Sequence, residues 1–252
     1  MLELFINKNI TNSVMANILN EFYDVMISNN NWKYIVNGLK NTLILTVFAC
    51  ILGIALGTTV AIIRTTYDTH GKETRNTFLK FILTVLNAIC KIYLTVIRGT
   101  PVVVQILIVY YVIFASSNNK LGIGILTFGI NSGAYVAEII RSGIMSIDKG
   151  QYEAGRSLGF NYIQTMIYIV APQAFKNVLP TLANEFIVLL KETAVAGYIA
   201  LEDLTKGGDI IRSLTYTAYM PLLTVAAVYL AMVMFFTWLV GKLERRLRTD
   251  ER

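Results

Sequence analysis

The sequence predicts an all-α integral membrane protein whose helices cross the bilayer five times, and three observations carry that reading. Of 252 residues, 55% are hydrophobic and only 15% charged, with a mean hydropathy of +0.56. That is more apolar surface than a soluble domain of this size buries, so lipid must take the excess. Second, Asn41 to Ile63 is a run of 23 residues without a charge, which as a helix is roughly 35 Å long and spans a hydrocarbon core of roughly 30 Å with some tilt. Third, the short alternating apolar and polar strands of a membrane barrel are absent, which leaves helices as the only way to satisfy backbone groups in lipid.

The elements follow in order. Residues 1–36 are polar and Asn-rich, with scattered apolar positions (Leu4, Phe5, Ile18, Leu19, Phe22, Tyr23) that suit one interfacial helix, and they form an extracytoplasmic segment ahead of a transmembrane domain at 37–248. The opening MLELFINKNI lacks a basic n-region and a continuous apolar core, so no cleaved signal peptide is expected. A first span at about 39–63 carries Gly53 and Gly57, a small-xxx-small pair that admits close helix approach. The loop from Arg64 to Lys80 holds Arg64, His70, Lys72, Arg75 and Lys80 against Asp68 and Glu73, which assigns it to the cytoplasm and the N-terminus to the outside.

Residues 78–97 are interrupted by Lys80, Asn87 and Lys91, whereas 102–115 are apolar but short. They read as one discontinuous crossing, an amphipathic half near the inner interface, a break at Gly99, and a new helix with Pro101 in its first turn. A third span runs from about Leu121 to Ile144, and residues 146–176 form a polar cytoplasmic region with two short helices. The chain re-enters near Pro180, runs to about Ala200, makes an outer loop over 201–219, and crosses a last time at 221–241. Lys242, Arg245, Arg246 and Arg248 then anchor the C-terminus in the cytoplasm.

The formal charge of +6 does not imply a nucleic-acid partner, because the basic residues sit at the ends of apolar runs and form neither a face nor an arm. Cys50 and Cys90 lie in apolar stretches without a CxxC or a nearby histidine and read as small buried hydrophobes. No GxxxxGK[ST] phosphate loop, HExxH or GxSxG occurs, and His70 is the single histidine, so no cofactor and no intrinsic catalysis are expected of this chain. What remains are polar groups at membrane depth, where they are costly. Counting from Pro180, Lys191 and Glu192 fall roughly 17 Å into the bilayer, near its midplane. They either pair to fix packing or line a polar pathway. Glu138 and Arg141 share a helix face at i, i+3 and suit a mutual ion pair. Arg98, beside the break, suits carbonyl capping, snorkelling or a substrate carboxylate.

The cytoplasmic stretch supplies the specific signal. Glu153-Ala154-Gly155, three residues, Gly159, nine residues, Ile169, one residue and Ala171-Pro172 resemble the pattern EAA, x3, G, x9, I, x, L, P of permease subunits of bacterial ABC importers. Gly155 stands where the pattern has alanine, and Ala171 where it has leucine. Val96-Ile-Arg98-Gly-Thr100-Pro-Val-Val-Val-Gln105 is similar to the RGTPxxxQ signature of the polar amino-acid branch. Glu185 to Thr193, with Lys191 and Glu192, resembles its NxxIxLLKDTSL stretch, and Tyr135, Glu138, Arg141 and Ile144 match its YxAExxRxxI segment.

The resemblance covers about 33–248 and implies a five-span bundle of the type I ABC importer permease kind in a bacterial inner membrane. It further implies that Glu153, Ala154, Gly155, Gly159 and Pro172 form an ATPase-coupling element, and Arg98, Thr100, Gln105, Glu138, Arg141, Glu185, Lys191 and Glu192 are the candidates for the translocation path. The partners implied are an ATP-binding subunit carrying ATP and Mg, an extracellular or periplasmic substrate-binding protein, a second permease subunit and an amino-acid substrate. Two rivals exist. A self-sufficient secondary transporter or channel would explain the intramembrane charges and the broken span, but expects internal repeats that are not found. A membrane hydrolase or transferase needs a nucleophile and a base at depth, which His70 in a basic loop does not supply.

Overall fold

A computed structural model describes residues 16–70 and 77–249. The expectations placed on Leu4 and Phe5, and on Lys72, Glu73 and Arg75 of the basic loop, lie outside the described residues. Ten α-helices are present among them, joined by short turns, without a strand. Helix α1 covers 16–22 and runs into a π-helical turn at Tyr23–Ser28; α2 is Trp32–His70, α3 Thr77–Gly99 and α4 Val102–Ile108, which widens into a π turn at Val109–Ile113. Then follow α5 (Lys120–Met145), α6 (Lys149–Ser157) and α7 (Tyr162–Thr165), the last leading through a π turn at Met166–Val170 into α8 (Ala171–Glu192). A 3-10 segment, Thr193–Ile199, precedes α9 (Leu204–Thr215) and α10 (Tyr219–Thr249).

Among the described residues, four helices are long and apolar enough to cross a membrane: α2, α3, α5 and α10. Three expected boundaries shift. The first span lengthens to 39 residues, about 58 Å of helix, so the expected loop from Arg64 is helical as far as His70. Nothing in Arg64–His70 breaks a helix, and charge alone does not end one. The segment read as an amphipathic half is a continuous 23-residue helix, apolar enough to span despite Lys80, Asn87 and Lys91. Pro180, read as a re-entry point, sits inside α8. The helix tolerates it because only the Lys176 carbonyl loses its partner. Helix α8 is 22 residues, long enough to cross, but Gln173, Lys176, Asn177, Asn184, Glu185, Lys191 and Glu192 make it the most polar of the long helices. The stretch expected as an outer loop at 201–219 contains the twelve-residue α9.

Packing centres on α2 and α5. A β-carbon at Gly57 would come within 2.6 Å of Val136 Cγ1 and 2.8 Å of the Gly133 carbonyl, and one at Gly129 would meet Leu52 at 2.6 Å. The Gly53 and Gly57 pair of α2 therefore faces the Gly129 and Gly133 pair of α5, and the two backbones approach closely where van der Waals contact is the main cohesive force. Phe128, Leu45, Ala49 and Ile106 extend this contact into the largest core, together with Leu189, Ala196 and Ile199. Cys90 is buried and Cys50 half-buried, both as free thiols. At one end of the bundle α9 lies against α2, where the Leu204 N–H donates to Thr42 Oγ1 at 3.0 Å and Asp203 caps α9 through the Thr205 and Lys206 N–H groups, each at 3.1 Å. At the opposite end, Tyr162 reaches Thr69 at 3.4 Å and α6, α7 and the start of α8 are gathered beneath α2.

Candidate functional site

Polar residues on α5 recur at Asn131, Tyr135, Glu138 and Ser142, a spacing that puts them in one stripe along the helix. The stripe opens on a cavity of about 570 Å³ shared with Arg98 and with Asn177, Thr181 and Glu185 of α8. Glu138 is its electrostatic hub. One carboxylate oxygen is 3.5 Å from Arg64 and 3.8 Å from Arg98, and the other is 3.6 Å from Arg141. Arg141 also meets Asp68 at 3.4 Å. The expected Glu138–Arg141 pair is present but shared, so three guanidinium groups face two carboxylates and leave one positive charge uncompensated within the group. These separations are longer than a tight charge-assisted hydrogen bond. Arg98 is the loosest member, with its side chain 44% exposed and its guanidinium 5.6 Å from the centre of the Tyr135 ring.

Thr100 and Gln105 do a different job. The Gln105 amide nitrogen lies within 2.8 Å of the Ile97 carbonyl, 3.0 Å of the Thr100 carbonyl and 2.9 Å of Thr100 Oγ1, while its carbonyl oxygen accepts from Asn131 at 3.0 Å. Thr100 Oγ1 donates to the Val96 carbonyl at 2.8 Å. A chain break at membrane depth leaves carbonyls without partners, and the Gln105 amide, held by buried Asn131, replaces the missing N–H groups. Neither residue lines the cavity around Glu138. Asn131 was not singled out from the sequence; its signal was an amide inside an otherwise apolar segment, in Gly129-Ile-Asn-Ser-Gly133.

Glu185 lines the same cavity, half-buried, and accepts from Ser132 Oγ at 3.2 Å. Lys191 and Glu192 do not join them. With Pro180 inside α8, the two residues fall at its C-terminal end, and the midplane depth counted from Pro180 no longer applies. Lys191 is exposed, Glu192 half-buried, and no salt bridge holds them together among the described residues.

The motif between α5 and α8 folds into a hairpin whose first helix is capped at both ends and whose second is capped at its start. Asp148 accepts from the Gly150 N–H at 2.6 Å to start α6. At its end, the Phe160 N–H bonds the Gly155 carbonyl at 3.0 Å and the Gly159 N–H bonds the Arg156 carbonyl at 2.9 Å, the paired pattern of a left-handed helix stop. Gly159 has φ +81° and supplies that conformation. Asn161 and Gln164 then form a reciprocal capping box on α7. Glu153 and Ala154 are exposed on α6, whereas Gly155 is buried against Thr165. A β-carbon there would meet both Thr165 Cγ2 and Oγ1 at 2.6 Å, so glycine replaces the pattern's alanine because Thr165 occupies the space. Pro172 lies in the first turn of α8, directly after the π turn at Met166–Val170, whose wider winding suits a position without an N–H.

A multi-pass bundle with a charged cavity between its helices, and a rigid helical hairpin at one end, defines a membrane-embedded transport subunit. Residues 77–249 match the family described as the binding-protein-dependent transport system inner membrane component, and the chain belongs to that family. It is 34% identical over 217 residues to the putative glutamine transport system permease protein GlnP of Rickettsia typhi, covering 85% of this chain and 93% of the relative. It is also 34% identical over 221 residues to the arginine transport system permease protein ArtQ of Bacillus subtilis, covering 86% and 94%. Among solved structures, an amino acid ABC transporter crystallised with histidines shares 39% identity and a TM-score of 0.75 over 85% of this chain and 94% of that one. The inward-facing MetNI methionine ABC transporter, at 18% identity and a TM-score of 0.70, shares the fold over 88% of this chain and 99% of that one.

Proposed function

We propose that the chain is the membrane-spanning half of an ATP-driven importer of polar or charged amino acids, forming the translocation path with a second permease subunit. An ATP-binding subunit carries ATP and Mg and supplies the motion; a separate binding protein delivers the amino acid. The observation that carries the reading is the hairpin Asp148–Gln164, which is capped at its start and on both sides of its turn and exposes Glu153 and Ala154. A lever of this kind transmits force only if its own backbone does not yield, and the caps and the Gly155–Thr165 contact supply that stiffness. The relatives' glutamine and arginine systems support the substrate class. So does the cavity: Arg98 beside Glu138, with Glu185 also on its wall, offers both charge signs to a zwitterion.

The test is ATP hydrolysis by the reconstituted complex with its ATP-binding subunit and binding protein. Wild type is expected to show hydrolysis stimulated by the binding protein loaded with a polar amino acid. Glu153→Lys, on an exposed position, is expected to leave membrane insertion and folding unchanged while abolishing that stimulation. Stimulation persisting in Glu153→Lys removes the coupling role. Transport by this chain alone, without any ATP-hydrolysing subunit, removes the importer reading as a whole.

A further inference from the structure

An apolar groove of about 520 Å³ runs between the C-terminal half of α2, the end of α5 and the start of α8. Ile62, Ile163, Ile167 and Phe175 on its walls are each more than half exposed. At Tyr162 the groove meets a second hollow of about 420 Å³, lined by Lys149, Tyr152, Glu153 and Arg156 of α6 together with Thr69 and Thr165. The two hollows share Tyr162 and take consecutive turns of α2, Thr65 and Thr66 in the first and Thr69 in the second. Along α2 the groove coincides with the end of the uncharged run Asn41 to Ile63, and the charged hollow lies just beyond it. Apolar contact followed by cationic contact is therefore the order met on passing from the hydrocarbon core into the headgroup layer.

Positions 149, 152, 153 and 156 lie on one face of α6, with two cations and one carboxylate. None of the three charges is in a salt bridge among the described residues. Thr65 on the groove wall and Thr165 on that of the hollow are buried, Thr165 to 2% exposure. Ala171 also lines the groove, at the position where the importer pattern places leucine, and its small side chain leaves the groove open.

We propose that the paired hollows form a binding site for one anionic phospholipid, with an acyl chain along the groove and the phosphate against Lys149 and Arg156. Glu153 in the same hollow opposes a second negative charge, so a singly charged head such as phosphatidylglycerol suits the site better than a doubly charged one. Ala154 and Ser157 on the rest of α6, and Leu158 just beyond it, are exposed, which leaves a second surface for a protein partner.

The test is native mass spectrometry of the full chain extracted in mild detergent from bilayers of equal phosphatidylglycerol and phosphatidylcholine. Its readout is retained lipid, independent of transport or ATP hydrolysis. Wild type is expected to retain phosphatidylglycerol preferentially, and Lys149→Gln with Arg156→Gln to lower the retained ratio by about fivefold for each charge removed. Ala171→Leu, which fills the groove without touching α6, is expected to reduce retention of both lipids. Excess glycerol phosphate is expected to displace neither. An unchanged ratio in the doubly neutralised chain overturns the proposal. So does displacement by glycerol phosphate, which would mark a site for free phosphate. Cross-linking from Ile163→Cys in the bilayer to a second copy, or to the ATP-binding subunit in place of lipid, overturns it as well.

Discussion

At Gly155 the presence or absence of one methyl group is decided by Thr165. Alanine there would gain about 1 kcal/mol in helix propensity, but its β-carbon would press on the Thr165 side chain at 2.6 Å, and overpacking of this kind costs about 1–3 kcal/mol. Gly155→Ala is accordingly expected to lower the thermal midpoint of the purified chain, and Gly155→Ala with Thr165→Ala to restore or exceed it, since Thr165 Oγ1 has no hydrogen bond to lose among the described residues. Asp203 presents the opposite case, a carboxyl whose burial at the head of α9 outweighs the N–H groups it accepts from, and whose pKa is pushed up to about 6. Because the folded value exceeds the unfolded one of 3.8, the group's favourable contribution is complete below about pH 4 and is lost as pH rises through about 6. Stability is thus expected to rise by about 2 kcal/mol from this group between pH 7.5 and 4.5. Asp203→Asn, which keeps a capping oxygen, is expected to flatten that dependence, and an unaltered profile in the variant would assign it to other groups.

Among the elements, the hairpin α6–α7 depends on one backbone conformation. Gly159→Ala forces a β-carbon into φ +81°, costing about 1–2 kcal/mol locally. It is expected to reduce stimulated ATP hydrolysis in the assembled complex while insertion stays intact; Gly159→Asn, which tolerates this conformation better, should fall between. How far such elements were legible depends on what ends them. The start of α5, the break at Gly99 to Pro101 and the position of α10 were readable, because a polar turn, a glycine–proline pair and an uncharged run each mark a boundary chemically. The end of α2 was not, because Arg64 to His70 change the charge without interrupting the hydrogen-bond ladder. Pro180 misled for the converse reason, since proline is a breaker by rule and is accommodated here inside α8. The motif residues Glu153 to Pro172 and the Glu138–Arg141 pair were visible as patterns. The partnership of Gln105 with Asn131, and the convergence of Arg64 and Arg98 on Glu138, join residues of different helices and could not be read from spacing along one chain.

Across the whole molecule, the glycine pairs of α2 and α5 hold the bundle's axis. Gly57→Leu is expected to drive the two helices apart, because the obstacle includes the Gly133 backbone carbonyl at 2.8 Å, which cannot rotate away. Loss of the monodisperse peak in detergent chromatography would show it, with Gly241→Leu, whose site has no atom within 4 Å, as the control expected to remain monodisperse. Helix α2 itself joins the two ends of the protein. It touches Leu204 through Thr42 near one end and Tyr162 through Thr69 near the other. No proline or chain break interrupts its 39 residues, and an unbroken helix bends only gently. It therefore behaves as a pushrod: whatever tugs on the hairpin at Thr69 tilts the seat of α9 far across the bilayer in the same stroke, with no joint between them to absorb the movement.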